Sequence, residues 1–84
     1  MPDITVVLYT KANCTLCDVV KKQLAELQRS LPHSLREVDI TGDSATFATY
    51  RYRIPVVDVN GDVLEAPIAR EDLEVALRTA AGHE

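Results

Sequence analysis

A chain of 84 residues with 46 % apolar content reads as one domain, 1–84, able to bury a modest core. Its 13 acidic and 9 basic side chains leave a net charge of −4 with no basic run, which excludes the counterion-releasing patch of a nucleic-acid binder. No stretch reaches the roughly 20 apolar residues of a membrane helix, and Met1-Pro2-Asp3 does not start like a secretory signal, so a reducing, cytoplasmic setting is expected.

In chain order, Ile4 to Tyr9 is a short apolar run rich in β-branched residues, which predicts a strand buried on both faces. Lys11 to Asn13 is a polar loop, with Asn13 the expected N-cap of a helix. Cys17, Val20, Leu24, Leu27 and Leu31 then recur at three- and four-residue steps, while Lys21, Lys22, Glu26 and Arg29 fall on the wet side. Pro32 follows the expected end of that helix. Leu35 to Ile40 predicts a second strand, parallel to the first through a right-handed crossover.

Thr41-Gly42-Asp43-Ser44 is turn and cap chemistry, opening a shorter helix through Phe47 to about Tyr50. Val56 to Val59 predicts a third strand. The Asn60-Gly61 pair turns it into a hairpin, with Val63 to Glu65 returning antiparallel. Pro67 breaks the chain before a last helix bearing Leu73, Ala76, Leu77 and Ala80 on one face. The order β-α-β-α-β-β-α predicts an α/β fold, a sheet of mixed direction with helices on both faces.

The only two cysteines, Cys14 and Cys17, stand as a Cys-x-x-Cys pair where the first strand gives way to the first helix. A bridge closing so short a loop constrains the unfolded chain by only roughly 2 kcal/mol. The spacing therefore serves a reversible dithiol better than a staple. A thiol attacks a disulfide only as thiolate, so its acidity must be raised. Cys14 would meet the free N–H groups and positive end of the helix, and Lys11 adds a cation three residues earlier. Cys17, a turn further in, is more enclosed and suits the resolving step.

Other uses of the pair are a structural disulfide, a metal site, or a binding module in which the cysteines are redox-silent. Zinc needs four ligands, and His33 and His83 stand alone without metal-ligand spacing, so no metal is expected and both histidines are expected on the wet surface. Tyr9, Tyr50 and Tyr52 read as packing residues. Pro55, heading the third strand, can be an ordinary trans, edge-compatible proline or carry the less common cis bond, and spacing alone does not settle which.

The pair, the element order and this proline together resemble the glutaredoxin branch of the thioredoxin superfamily, in particular small bacterial glutaredoxin-like proteins. The likeness runs from about Ile4 to Ala80. Tyr9-Thr10-Lys11-Ala12-Asn13-Cys14-Thr15-Leu16-Cys17 is similar to the family's Tyr-Ser/Thr-Lys-x-x-Cys-x-x-Cys stretch, and Ile54-Pro55 to its Val-Pro. The resemblance implies a thioredoxin-like four-stranded sheet in the order 2-1-3-4 with three helices. It implies that Pro55 is cis and faces the cysteines, and that the Ile54 backbone pairs with an extended substrate.

It implies, too, a thiol-disulfide oxidoreductase in which Cys14 attacks and Cys17 resolves, acting on disulfide-bearing proteins or small molecules. A monomer with an unidentified reductant and no tightly bound cofactor is expected. Glutathione is the small-molecule candidate, with an iron–sulfur carrier role depending on it. Three departures stand out: Thr15-Leu16 between the cysteines instead of Pro-Tyr, Arg53 in place of the usual Thr, and Ile68-Ala69-Arg70-Glu71 where the family has Gly-Gly-x-Asp for the γ-glutamyl end of glutathione. Lost glycines close off backbone approach, so exchange with a protein dithiol is expected over glutathione. The first strand also has apolar Leu8 where thioredoxins keep a buried carboxylate.

Overall fold

Alternation along the first strand decides how the layers stack. In the structure, a computed structural model that describes residues 4–82, β1 (Thr5–Thr10) turns Val6 and Leu8 to one face, both fully buried. Val7 and Tyr9 on the other face are only half-buried, so the strand is less enclosed than its apolar run implies. β2 (Ser34–Asp39) runs parallel to it, and β3 (Val56–Val59) and β4 (Asp62–Glu65) follow as an antiparallel hairpin. The sheet order is β2-β1-β3-β4, with β1 and β3 antiparallel in the centre.

The first face carries the core. Leu8 lies opposite Val57 and Val6 opposite Val59, and these four pack with the stripe Val20, Leu24 and Leu27 of α1 (Thr15–Leu27). Leu73, Ala76 and Leu77 of α3 (Arg70–Ala80) complete that core. The short α2 (Ser44–Tyr50) serves the other face, where Tyr50 stacks on Tyr9 with ring centroids 4.4 Å apart. Burial of apolar area on one contiguous core is what holds so short a chain folded.

Local chemistry sets the element ends. Cys14, not Asn13, is the N-cap of α1: its backbone is extended, whereas Asn13 takes a left-handed φ of 61°. The helix stops at Leu27, short of Pro32, although Leu31 still packs into the core. Asp39 and Asp43 cap the next two turns, the first of them a single 3-10 turn at Ile40–Gly42 and the second α2. Ile40 therefore leaves the strand but is fully buried. Asn60 and Gly61 both have positive φ, 50° and 94°, the pattern of a tight hairpin turn. Asn60 also exchanges bonds with the Thr5 backbone, donating its N–H at 3.0 Å and accepting at its side-chain oxygen at 2.8 Å.

His33 overturns its surface expectation. It is 4 % exposed, and its Nδ1 lies 2.8 Å from the Leu31 carbonyl. Gln28 holds its backbone from both sides, donating to the His33 carbonyl at 2.7 Å and accepting from the His33 N–H at 3.0 Å. The imidazole thus plugs the turn between α1 and β2, where a polar ring satisfies a carbonyl that an apolar residue would strand. His83 lies outside the described residues.

Candidate functional site

Sheet topology brings one set of loops together. The parallel pair β1 and β2 end at the same edge of the sheet at which β3, running the other way, begins. Extending the β1–β3 register past Tyr9 and Val56 sets Pro55 beside Thr10. The loop to Cys14, the start of α2, the segment Arg51–Pro55 and the entry to α3 accordingly crowd one end of the molecule. In open α/β sheets that end is where ligands bind.

At its centre Cys14 and Cys17 form a disulfide, their Cα atoms 5.2 Å apart. Cys17 heads the buried stripe of α1 and is 1 % exposed; Cys14 is half-buried. The Cys17 N–H donates to the Cys14 Sγ at 3.2 Å, and the Asp18 N–H to the Cys14 carbonyl at 3.1 Å. Thus the sulfur itself does the capping that an oxygen side chain does elsewhere. Leu16, between the cysteines, is 62 % exposed. Lys11 is exposed and, among the described residues, has no carboxylate partner.

The Ile54–Pro55 peptide is cis, and Pro55 is buried. Ile54 has one of its two backbone groups engaged within the chain. Its N–H donates to the Tyr50 carbonyl at 3.1 Å, alongside the Arg53 N–H at 2.8 Å. Only its carbonyl, which accepts nothing among the described residues, is left to an incoming strand. Beneath this loop the Tyr9 phenol is held above its usual pKa, by burial first and then by Tyr50 and Asp58. It stays protonated at neutral pH and is no base for the cysteines.

Ala69 caps α3 and gives its N–H to the Asp72 carboxylate at 2.9 Å. Ile68 packs on the core. Arg70 turns to Glu26 at 2.6 Å and Glu74 at 3.4 Å, tying α3 to α1. Asp72 was not foreseen; its spacing three residues into the helix is the available signal. Among the described residues no three His, Cys, Asp or Glu side chains cluster to hold a metal, and no helix is long and apolar enough to cross a membrane.

Residues 5–78 match the family described as glutaredoxin-like domain (DUF836). The chain belongs to this family. Among solved structures, it is similar to protein XcR50 from X. campestris, with 28 % identity over 88 % of this chain and 96 % of the other and a TM-score of 0.76. Protein Ne2328 from Nitrosomonas europaea matches with 24 % identity over 89 % and 91 % of the two chains, at a TM-score of 0.74. A thioredoxin from Halobacterium salinarum matches at 0.74 with 13 % identity over 94 % of this chain and 75 % of that one, a likeness of fold alone. The chain is thus a glutaredoxin-like domain with a thioredoxin-like fold and a Cys-x-x-Cys pair at the start of α1.

Within the glutaredoxin-like frame, one surface differs from its sequence reading. Tyr52, expected to pack, is 85 % exposed beside the cis-proline loop, with the Arg51 guanidinium 4.5 Å from its ring centroid.

Proposed function

We propose that this protein is a thiol-disulfide oxidoreductase that reduces disulfides of protein substrates, with Cys14 as nucleophile and Cys17 as resolving thiol. The observation that carries the reading is the contrast within the pair. Cys14 is partly open to solvent and receives an N–H on its sulfur; Cys17 is sealed in the core one turn away. In the reduced protein that N–H and the helix end favour a thiolate on Cys14.

The Cys14 thiolate attacks one sulfur of the substrate disulfide, forming a mixed disulfide and expelling the other sulfur as thiolate. Cys17 loses its proton and attacks the Cys14 sulfur. This closes the intramolecular disulfide and releases the second substrate thiol. Two electrons and two protons pass to the substrate, and a dithiol reductant restores the pair. The Ile54 carbonyl supports an extended substrate segment as acceptor only.

For the reductant, the α3 entry favours a protein dithiol over glutathione. Ala69 and Ile68 bring side chains where glycines would admit a tripeptide, and the Ala69 N–H is committed to Asp72. A monomer in a reducing compartment suits this reading. Equilibration with graded dithiol–disulfide buffers, with thiol content read by alkylation, tests it. The expected result is a single two-electron transition. A module that binds partners with inert cysteines would show no transition coupled to substrate reduction.

A further inference from the structure

Three arginines at the α3 seam and β4 edge are consumed by carboxylates: Arg53 by Glu65 at 3.2 Å, Arg70 by Glu26 and Glu74, and Arg78 by Glu74 at 3.7 Å. Arg51 is not. Among the described residues it has no carboxylate within ion-pair distance, and its guanidinium lies instead over two aromatic faces, Tyr52 at 4.5 Å and Phe47 at 5.8 Å. No hydrogen bond or ion pair engages the Arg51 guanidinium among the described residues, so its in-plane N–H donors are free. Those donors match a carboxylate two at a time. The stack also restrains a long side chain that would otherwise lose entropy on binding.

The place matters as much as the chemistry. Arg51 and Tyr52 follow Tyr50, which is stacked on Tyr9 of the strand leading to Cys14. They precede Ile54 and the cis Pro55, in the segment that starts β3 at the end of the sheet that holds the disulfide. Lys11, likewise without an ion-pair partner among the described residues, stands on the other loop of the same end. The protein as a whole carries −4, so long-range steering favours no acidic partner. At contact range, within about a Debye length of 8 Å, the local cations decide instead.

Resting on the oxidoreductase reading above, we propose that Arg51, held on Tyr52, is a substrate-specificity residue that pairs with an Asp or Glu side chain next to the disulfide of a protein substrate. The platform adds no step to the exchange. It raises the rate of mixed-disulfide formation for acidic-flanked disulfides and leaves the electron and proton balance as written.

The test uses the pre-reduced full chain in single turnover against two synthetic peptides with one intramolecular disulfide each, identical but for a Glu or a Lys beside it. Wild type should reduce the Glu peptide about three- to fivefold faster, the scale of one exposed, well-oriented ion pair. The ratio should fall further as salt is raised. Arg51→Gln should bring the ratio to one and Arg51→Glu should invert it. Tyr52→Leu, which keeps the charge but removes the stack, should land between. Arg29→Gln, just past the end of α1 opposite Cys14, should leave the ratio unchanged. Equal rates for wild type, or a preference that survives Arg51→Gln, would overturn the proposal while leaving the oxidoreductase reading intact. Loss of Arg51 that slows reduction of glutathione disulfide but not the peptide ratio would also overturn it, assigning the platform to the tripeptide's carboxylates. No reduction of either peptide by any form would fell both readings together.

Discussion

The backbone N–H of Cys17 points at the sulfur of Cys14 across 3.2 Å, so the main chain of one cysteine supports negative charge on the sulfur of the other. An anion on that sulfur gains the bond and the helix end, and both vanish when the chain unfolds. The Cys14 pKa in the reduced protein should therefore lie below the free value of about 8.5. Thiolate absorbance followed against pH measures it, and a midpoint at or above the free value would leave the nucleophile unexplained. Lys11→Ala should raise the midpoint by only a fraction of a unit, because an exposed cation is screened.

Burial separates the two sulfurs' roles. Cys14→Ser should abolish exchange, since the buried Cys17 cannot be reached by a substrate. Cys17→Ser should keep the attack and accumulate stable mixed disulfides, visible by mass spectrometry. The reverse pattern would exchange the assignments.

Gln28 is the polar clamp of the α1–β2 turn, and the two bonds it makes to the His33 backbone give it a measurable role. Gln28→Ala strands a donor and an acceptor in a part-buried turn, at a cost of about 1–3 kcal/mol. Gln28→Glu can still accept from the His33 N–H but cannot donate to its carbonyl, so it should fall between. Denaturant melts of the three proteins decide it, and equal midpoints would mean that water replaces the amide without loss.

How much of this was legible in the sequence follows from range. Periodicity is local, so the stripe Val20, Leu24, Leu27 and the Asn60-Gly61 turn announced their elements directly. The Cys pair marked the site because both sulfurs lie on one helical turn. The burial of His33 was hidden because a lone histidine has no period, and its partner Gln28 is set by a turn, not a pattern. Asn13 and Cys14 compete for one cap, and backbone conformation, which side-chain preference does not specify, settled it on the sulfur. Tyr52 gave no sign of its exposure, since a lone tyrosine, like a lone histidine, has no period to place it on one face.

Asp43 links stability at the site to pH. Its carboxylate accepts from the Thr46 N–H at 2.9 Å and the Thr46 hydroxyl at 2.7 Å, and these bonds hold its pKa below the ordinary 3.8, the hydroxyl contributing most. A depressed folded value means the stabilisation is present above the unfolded pKa and is lost as pH falls through the folded one. Asp43→Ala should therefore melt below wild type at neutral pH, with the gap closing in the window under 3.8. The effect should reach the redox end, because α2 carries Tyr50, whose carbonyl receives the Arg53 and Ile54 N–H groups. A gap in melting temperature that persists unchanged to the most acidic pH would show that the helix cap is not ionic.

The reductant is where this chain is expected to part most sharply from an ordinary glutaredoxin. Binding the γ-glutamyl end of glutathione at α3 would require free N–H groups and room for the tripeptide to touch the backbone. Here Asp72 already occupies the Ala69 N–H, the Ile68 side chain is packed into the core, and Arg70 is drawn away to Glu26 and Glu74. Displacing Asp72 would uncap the helix, and seating a second carboxylate beside it would set like charges together. We expect weak glutathione-coupled reduction and faster exchange with a protein dithiol, at a potential of about −200 to −270 mV. Asp72→Ser should preserve a cap while vacating the carboxylate, and so raise glutathione-coupled turnover modestly if charge is the obstacle. Ile68→Gly with Ala69→Gly should raise it if shape is. Wild-type turnover with glutathione matching that of an authentic glutaredoxin would sink the expectation, because it would show that the tripeptide is admitted past every one of these side chains.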